Sequence, residues 1–243
     1  SCLENKRYKM MKVKEGEYVP DVEDTFPEDD PFVHKLIYEN IYNEVFDENY
    51  PYLDESFKWK VGHVWALFRA YFICFWVNPL IFGLRIKGRE NLKKYKKELK
   101  DGAITVCNHA YRWDFLAVWQ ASPRFRLWYP AWADNFQTKD RDNMRHTCGI
   151  PVPKSMSAMK KFNQAFDTLH ERKAWIHVFP EECRWNNYKP LRPFRKGAFI
   201  FSYKYQMPIV PMVITYRERT GLYKFFKKDE PLYNITIGEP IFP

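Results

Sequence analysis

Apolar and polar positions along this chain follow two periods, and the two take turns. Short β-type runs occur at Leu84–Lys87, Ala103–Cys107, Phe125–Tyr129, Cys148–Lys154, Trp175–Phe179, Pro208–Ile214 and Tyr233–Ile237. Between them lie stretches with helical spacing: Arg89–Lys100, a segment resuming at Phe115, one capped by Ser155 and running to Glu171, and one from Gly197 to about Tyr205. Met159, Phe162, Phe166 and Leu169 fall on one side of the Ser155 helix. Strands alternating with helices predict an α/β fold, a central mixed β-sheet flanked by helices.

Two regions precede that alternation. The basic opening, Cys2–Lys14, has little apolar periodicity and reads as a frayed terminus without a secretory leader. From Asp21 to Glu55 the charge balance turns acidic, with Tyr and Phe interleaved. Asp30-Pro31 is a helix-start signal, and Val33, Leu36, Ile37, Ile41 and Val45 repeat at helical spacing behind it. An acidic, aromatic arm ahead of a basic body is expected to pack back on that body.

The most apolar stretch is Val61–Phe82, about 22 residues, enough in length for a bilayer. His63, Arg69, Asn78 and Pro79 interrupt it, and a charge near the middle of a span is costly. Trp65, Phe68, Phe72, Phe75 and Trp76 form an aromatic stripe with Lys58, Lys60 and Arg69 nearby. A helix lying in the membrane interface accounts best for this pattern, with a buried helix and a true span as alternatives. The chain therefore divides into an acidic extension, 1–56, an interfacial helix, 57–82, and an α/β body, 83–243.

Composition sharpens the picture in two places. Aromatic residues make up 19% of the 243 residues, which suits a filled core and also an apolar surface that meets lipid. The net charge of +9 points to an anionic partner, either phospholipid, nucleic acid or a phosphorylated substrate. Because the aromatics concentrate in one apolar run instead of alternating with cations, lipid is favoured over nucleic acid. The five cysteines are scattered and form no C-x-x-C pair, which argues for a reducing compartment and against a disulfide framework or zinc site.

Candidate chemistry sits where the Ala103–Cys107 run breaks at Asn108-His109. His109 and Asp114 are five residues apart, roughly 140° out of phase on a continuous helix. They meet only if His109 precedes the helix and Asp114 lies in its first turn. A carboxylate holding one imidazole nitrogen leaves the other to take a proton from a hydroxyl, which is general-base chemistry.

Several separated blocks agree with one family. Asn108-His109 to Asp114 resembles the N-H-x-x-x-x-D block of the glycerolipid (lysophospholipid) acyltransferase superfamily. Gly149-Ile150-Pro151-Val152-Pro153-Lys154 is similar to its second block, and Phe179-Pro180-Glu181 opens like its third, with Arg184 at the basic position. Phe194-Arg195-Lys196-Gly197-Ala198, Ile209-Val210-Pro211 and Gly238-Glu239-Pro240 follow in the family's order, so the resemblance covers about Gly83 to Pro243. It implies transfer of a fatty acyl group from acyl-CoA or acyl-carrier protein to a lysolipid or glycerol-phosphate hydroxyl, of the 1-acylglycerol-3-phosphate acyltransferase type. His109 and Asp114 would be catalytic, and Glu181, Arg184 and Lys154 would hold the acceptor's polar head. Asn108 and Lys196 complete the implied substrate-binding set. No metal or resident cofactor is implied, and the expected place of work is the cytoplasmic face of a membrane, held peripherally or monotopically.

Two departures stand out. Lys154 replaces the family's usual Arg and loses its bidentate fork for phosphate. Glu182 and Cys183 occupy the third block's usual Gly and Thr or Ser. A carboxylate at 182 repels a phosphate dianion unless turned outward or paired with Arg184, which leaves a non-phosphomonoester lysolipid as an alternative acceptor. Two further readings remain open: Cys183 or Cys107 as the nucleophile of a two-step transfer, and a non-catalytic membrane-surface protein. Amides at the start of the helix after His109 are expected to stabilise the oxyanion.

Overall fold

The computed structural model describes residues 40–243 apart from 112, 124–126, 183, 185–186, 188–190, 192 and 226–229. Cys2, Cys183 and most of the helix predicted from Asp30 to Val45 therefore lie outside the described residues. The described end of that prediction is not helical. Instead, the amides of Ile41 and Tyr42 donate to the Gln137 carbonyl, and the Gln137 side chain bonds the backbone of Glu44 in both directions, at 2.9 and 2.7 Å. Arg145 reaches both Glu44 (3.1 Å) and Asp54 (3.3 Å), so the acidic arm lies on the basic body through ion pairs.

A continuous helix follows: α1 (Phe57–Phe72), a wide π-helical segment (Ile73–Val77) and a last short turn, α2 (Asn78–Leu80). Ser56 caps its start by accepting from the Trp59 amide. The wide segment lies just ahead of Pro79, whose missing N–H already breaks the regular ladder there. Trp59, His63, Ala66, Ala70, Cys74 and Asn78 face inward, while Phe57, Val61, Val64, Trp65, Phe68, Phe72, Phe75, Trp76 and Leu80 are exposed. Apart from Trp59, stacked on Trp128, the fully buried positions are small or polar, and most of the large apolar side chains face away from the protein. Among the described residues no helix is long and apolar enough to cross a membrane.

The body alternates as its sequence pattern predicts: β1 (Arg85–Lys87), α3 (Arg89–Lys94), β2 (Ile104–Val106), α4 (Asp114–Ala121), β3 (Leu127–Trp132), α5 (Arg141–His146), β4 (Gly149–Val152), α6 (Met156–Glu171), β5 (Trp175–Val178), α7 (Gly197–Tyr205), β6 (Ile209–Arg217) and β7 (Leu232–Ile237). The described strands form a seven-stranded mixed sheet in the order β1-β7-β6-β2-β5-β3-β4. β2 to β6 run parallel, β7 returns antiparallel to β6, and β1 lies parallel to β7. Ala103 and Cys107 point to the face covered by α4 and the apolar helix, and Ile104 and Val106 to the face covered by α6 and α7.

One helix is shorter than its pattern suggests. Lysines 93, 94, 96 and 97 repel one another at helical spacing, and α3 stops at Lys94, while Leu99 turns into the core at 4% exposure. At the corner between β1 and α3, Gly88 has φ +80°, and a Cβ there would stand 2.1 Å from the Ile237 carbonyl.

Candidate active site

The site is built at the carboxyl edge of the parallel strands, where β2 and β5, neighbours in the sheet, both end. Asn108 terminates β2 with its side chain: Oδ1 accepts from the Ile214 amide (2.7 Å) and Nδ2 donates to the Ile214 carbonyl (3.1 Å). The carboxamide stands in for a peptide group of the ladder and directs the chain out of the sheet. Its substrate-binding assignment meets a residue that is 6% exposed with both polar groups engaged in the backbone of β6.

The next residue is His109, whose amide donates to Glu181 Oε2 at 3.0 Å. Its Nδ1 meets Asp114 Oδ2 at 2.6 Å, across the turn that leads into α4. The same Asp114 oxygen accepts from the amides of Ala110 (2.9 Å) and Tyr111 (3.2 Å). Asp114 is 1% exposed, and three donors offset the cost of removing its carboxylate from water. With Nδ1–H donating to the carboxylate, Nε2 is the ring's basic lone pair, and the His109 side chain is 23% exposed. One nitrogen is buried and aimed, the other open.

The same bonds correct an expectation. The amides of His109, Ala110 and Tyr111 are occupied by Glu181 and Asp114, and that of Asp114 by the Tyr111 carbonyl. They do not face a developing oxyanion.

The ring is packed as well as bonded. Phe179, one residue past β5, stacks on it with centroids 4.0 Å apart, and the edge of His177 meets Phe179 at 4.3 Å. His177 is fully buried opposite Thr105, whose hydroxyl lies 2.9 Å from its Nδ1, and its Nε2 finds no hydrogen-bond partner among the described residues. Burial first, and His109 nearby, hold its pKa down to about 3, so this imidazole is neutral. Cys107 goes the opposite way: burial, then Asp114 and Glu181, push its thiol well above the ordinary range. At 2% exposure it is a packing residue and not a nucleophile.

The remaining predicted residues spread along the same edge. Glu181 is 8% exposed and within the hydrogen-bonded network of His109. Arg184 is half-buried in the loop after β5, and exposed Lys196 starts α7 beside Arg195, whose amide bonds the Pro180 carbonyl. Lys154 follows β4 at the sheet's border, three strands from β2 and roughly 14 Å away by strand spacing, with Asp134 at 3.3 Å. Glu182 is half-exposed and its ion pair is with Arg195 (3.3 Å), not Arg184. Its φ of +59° explains why glycine suits this position.

Three features were not read from the sequence: the stack of Phe179 on His109, the Glu182–Arg195 pair, and the pinning of the loop after β5. In that loop the Asn187 amide donates to the Ala110 carbonyl (2.9 Å), and Asn187 Oδ1 accepts from Tyr233 (2.8 Å), itself stacked on Tyr111 at 3.9 Å. The position of Asn187 between Arg184 and the Arg195 segment was a local signal only for a turn.

At the carboxyl edge of a mixed α/β sheet the structure thus sets an imidazole held by a carboxylate on one nitrogen, an arrangement suited to general-base chemistry. The chain belongs to the Acyltransferase family, whose model matches residues 83–215, more than half of its length. It is similar to the 1-acyl-sn-glycerol-3-phosphate acyltransferase of Saccharomyces cerevisiae, 27% identical over 153 residues, 58% of this chain and 47% of that protein. An uncharacterized acyltransferase of Schizosaccharomyces pombe is 25% identical over 151 residues, 56% of this chain and 48% of that one. The chain thus spans about half the length of these curated relatives. Among solved structures it is similar to the 1-acyl-sn-glycerophosphate (LPA) acyltransferase PlsC of Thermotoga maritima, 19% identical, with a TM-score of 0.49 over 79% of this chain and 75% of that one.

Proposed function

We propose that the protein is an O-acyltransferase that moves a fatty acyl group from a thioester, acyl-CoA or acyl-carrier protein, to a lysophospholipid or glycerol-phosphate hydroxyl. The observation that carries this reading is the 2.6 Å contact between His109 Nδ1 and buried Asp114, which leaves Nε2 basic on the open side of the ring. Nε2 takes the proton of the acceptor hydroxyl as its oxygen attacks the thioester carbonyl. The resulting oxyester forms as the C–S bond breaks, and the imidazolium returns the proton to the departing thiolate. Asp114 keeps the tautomer and stabilises the imidazolium. Base catalysis of this kind is worth about 10²–10⁴-fold.

Glu181, Arg184, Lys154 and Lys196 form the polar side of the acceptor site in this reading, with Arg184 the head-group cation and Asn108 a positioning residue behind it. The large side chains exposed on the helix 57–80 suit peripheral contact with a phospholipid surface on its cytoplasmic face. A second acceptor class, lysolipids without a phosphomonoester, is supported by Glu182, an exposed carboxylate in the loop after β5 that is paired with Arg195.

Labelled acyl-CoA and acyl-carrier protein, offered with glycerol-3-phosphate, lysophosphatidate and zwitterionic lysolipids, test the reading. Transfer that vanishes in His109→Ala, with an unchanged melting curve, is the expected result. Undiminished transfer in His109→Ala overturns the base assignment, and absence of transfer to every acceptor overturns the function.

A further inference from the structure

The loop between β6 and β7 carries large apolar side chains that the site described above does not use. Within its short 3-10 turn, Gly221–Phe225, Leu222 and Phe225 are 79% and 76% exposed. Tyr223 between them turns inward, and its hydroxyl donates to the Pro79 carbonyl at 2.8 Å. Arg219 Nη1 donates to the carbonyls of Ile81 (3.0 Å) and Tyr223 (3.3 Å), and its Nε to that of Glu230. Arg217 reaches the Gly83 carbonyl and, at 2.7 Å, Asn234. Two arginines and a tyrosine therefore fix the loop against the carbonyl end of the apolar helix, whose last turns carry the exposed side chains of Trp76 (60%) and Leu80 (58%).

The sheet topology gives this placement a direction. β6 runs parallel to β2, so the loop after it leaves the edge at which His109 stands. β1 runs opposite to β2 through its pairing with β7, so the residues between the apolar helix and β1 reach the same edge. The end of the helix, the loop and the dyad share one rim of the molecule.

We infer that Leu222 and Phe225 form a second membrane contact, inserting into an anionic phospholipid surface next to Trp76 and Leu80. Tyr223, between the two, is bonded to Pro79, the residue before Leu80 in the apolar helix, and the exposed cation Lys224 lies next to Phe225 in sequence, which suits anionic headgroups. Held at two places along one rim, the protein presents His109 to the leaflet from which a lipid acceptor comes. This inference rests on the membrane reading of the function.

Co-flotation with vesicles of phosphatidylcholine and phosphatidylglycerol, compared with phosphatidylcholine alone, tests it. The wild-type chain binds the anionic vesicles, and L222D/F225D lowers the partition coefficient about tenfold or more, while its turnover of a short-chain, water-soluble acceptor without vesicles stays the same. Failure of the wild-type chain to bind any vesicle overturns the membrane reading itself. Wild-type binding that persists unchanged in L222D/F225D overturns only the loop. A variant that changes sedimentation from dimer to monomer with unchanged flotation makes the patch a self-association face, and also overturns it. Leu222→Cys carrying an environment-sensitive fluorophore gives an independent readout: its emission shifts to the blue on anionic vesicles, and a constant spectrum refutes insertion.

Discussion

Phe179 lies face to face on the imidazole of His109, ring centroids 4.0 Å apart and planes 13° from parallel. With Asp114 holding Nδ1 and Glu181 holding the backbone amide, the stack fixes the one remaining freedom of the ring, rotation about its own side-chain bonds. Phe179→Ala should lower kcat roughly 10–100-fold by letting Nε2 wander from the hydroxyl, and Phe179→Leu should lower it less. The measurement is kcat against KM on a short-chain acceptor. A change in KM alone would assign Phe179 to substrate binding instead.

Asp114 closes the turn and aims the ring with the same oxygen. Asp114→Asn preserves an acceptor there but removes the charge that stabilises the imidazolium, so kcat should fall about 10³–10⁴-fold with a small change in stability. Asp114→Ala leaves the amides of Ala110 and Tyr111 without their acceptor, and should cost roughly 2–5 kcal/mol of stability as well. Urea midpoints of the two variants separate these effects.

His177 makes stability depend on pH. Its folded pKa of about 3 lies below the ordinary 6.5, so between those values the unfolded chain holds a proton that the native chain does not. Its contribution is complete above pH 6.5 and declines as pH falls, by about 2 kcal/mol between pH 6.5 and 5. In His177→Leu that dependence should be shallower by this amount, whereas the carboxylates contribute equally to both proteins. Equal slopes in urea melts at the two pH values would mean that the buried ring takes up its proton in the native state.

Glu182 combines a left-handed backbone with a negative charge at the site's rim. Glu182→Gly should relieve about 1 kcal/mol of backbone strain, and release Arg195 to attract an anionic acceptor. The KM for lysophosphatidate should fall severalfold, and that for a zwitterionic lysolipid should stay near its wild-type value. Equal changes for both acceptors would argue that the carboxylate does not face the head group.

The sequence pattern was most informative where local geometry and burial agree. The strand break at Asn108 and the five-residue step to Asp114 foretold a turn that brings His109 and Asp114 together, and Ser155 foretold the start of α6, where it accepts from the Ala158 amide. What long-range packing decides was not legible. Asn108 looks like a polar group beside the site, yet its partner is Ile214, 106 residues away. Lys154 follows β4 at the same sheet edge as His109, but strand order sets its distance from β2, and no local pattern encodes that order. The helix expected through Lys100 ends early because charge repulsion and the burial of Leu99 outweigh propensity. The stack on His109 needed the pairing of β2 with β5 before it became visible.

The strand order also imposes a schedule on the growing chain. Among the described residues β1 pairs only with β7, so Arg85 must wait for Asn234, about 150 residues later, before it finds its neighbour. On a ribosome, the apolar helix can meet α4 and α5 early, through Leu116, Gln120, Arg145 and His146, while β1 behind it still lacks its partner. Such delayed closure slows folding and leaves sticky surface bare in the meantime. A truncation that removes β7 should leave β1 without a seat in the sheet and send the nascent product toward aggregation, even with every catalytic side chain already synthesised.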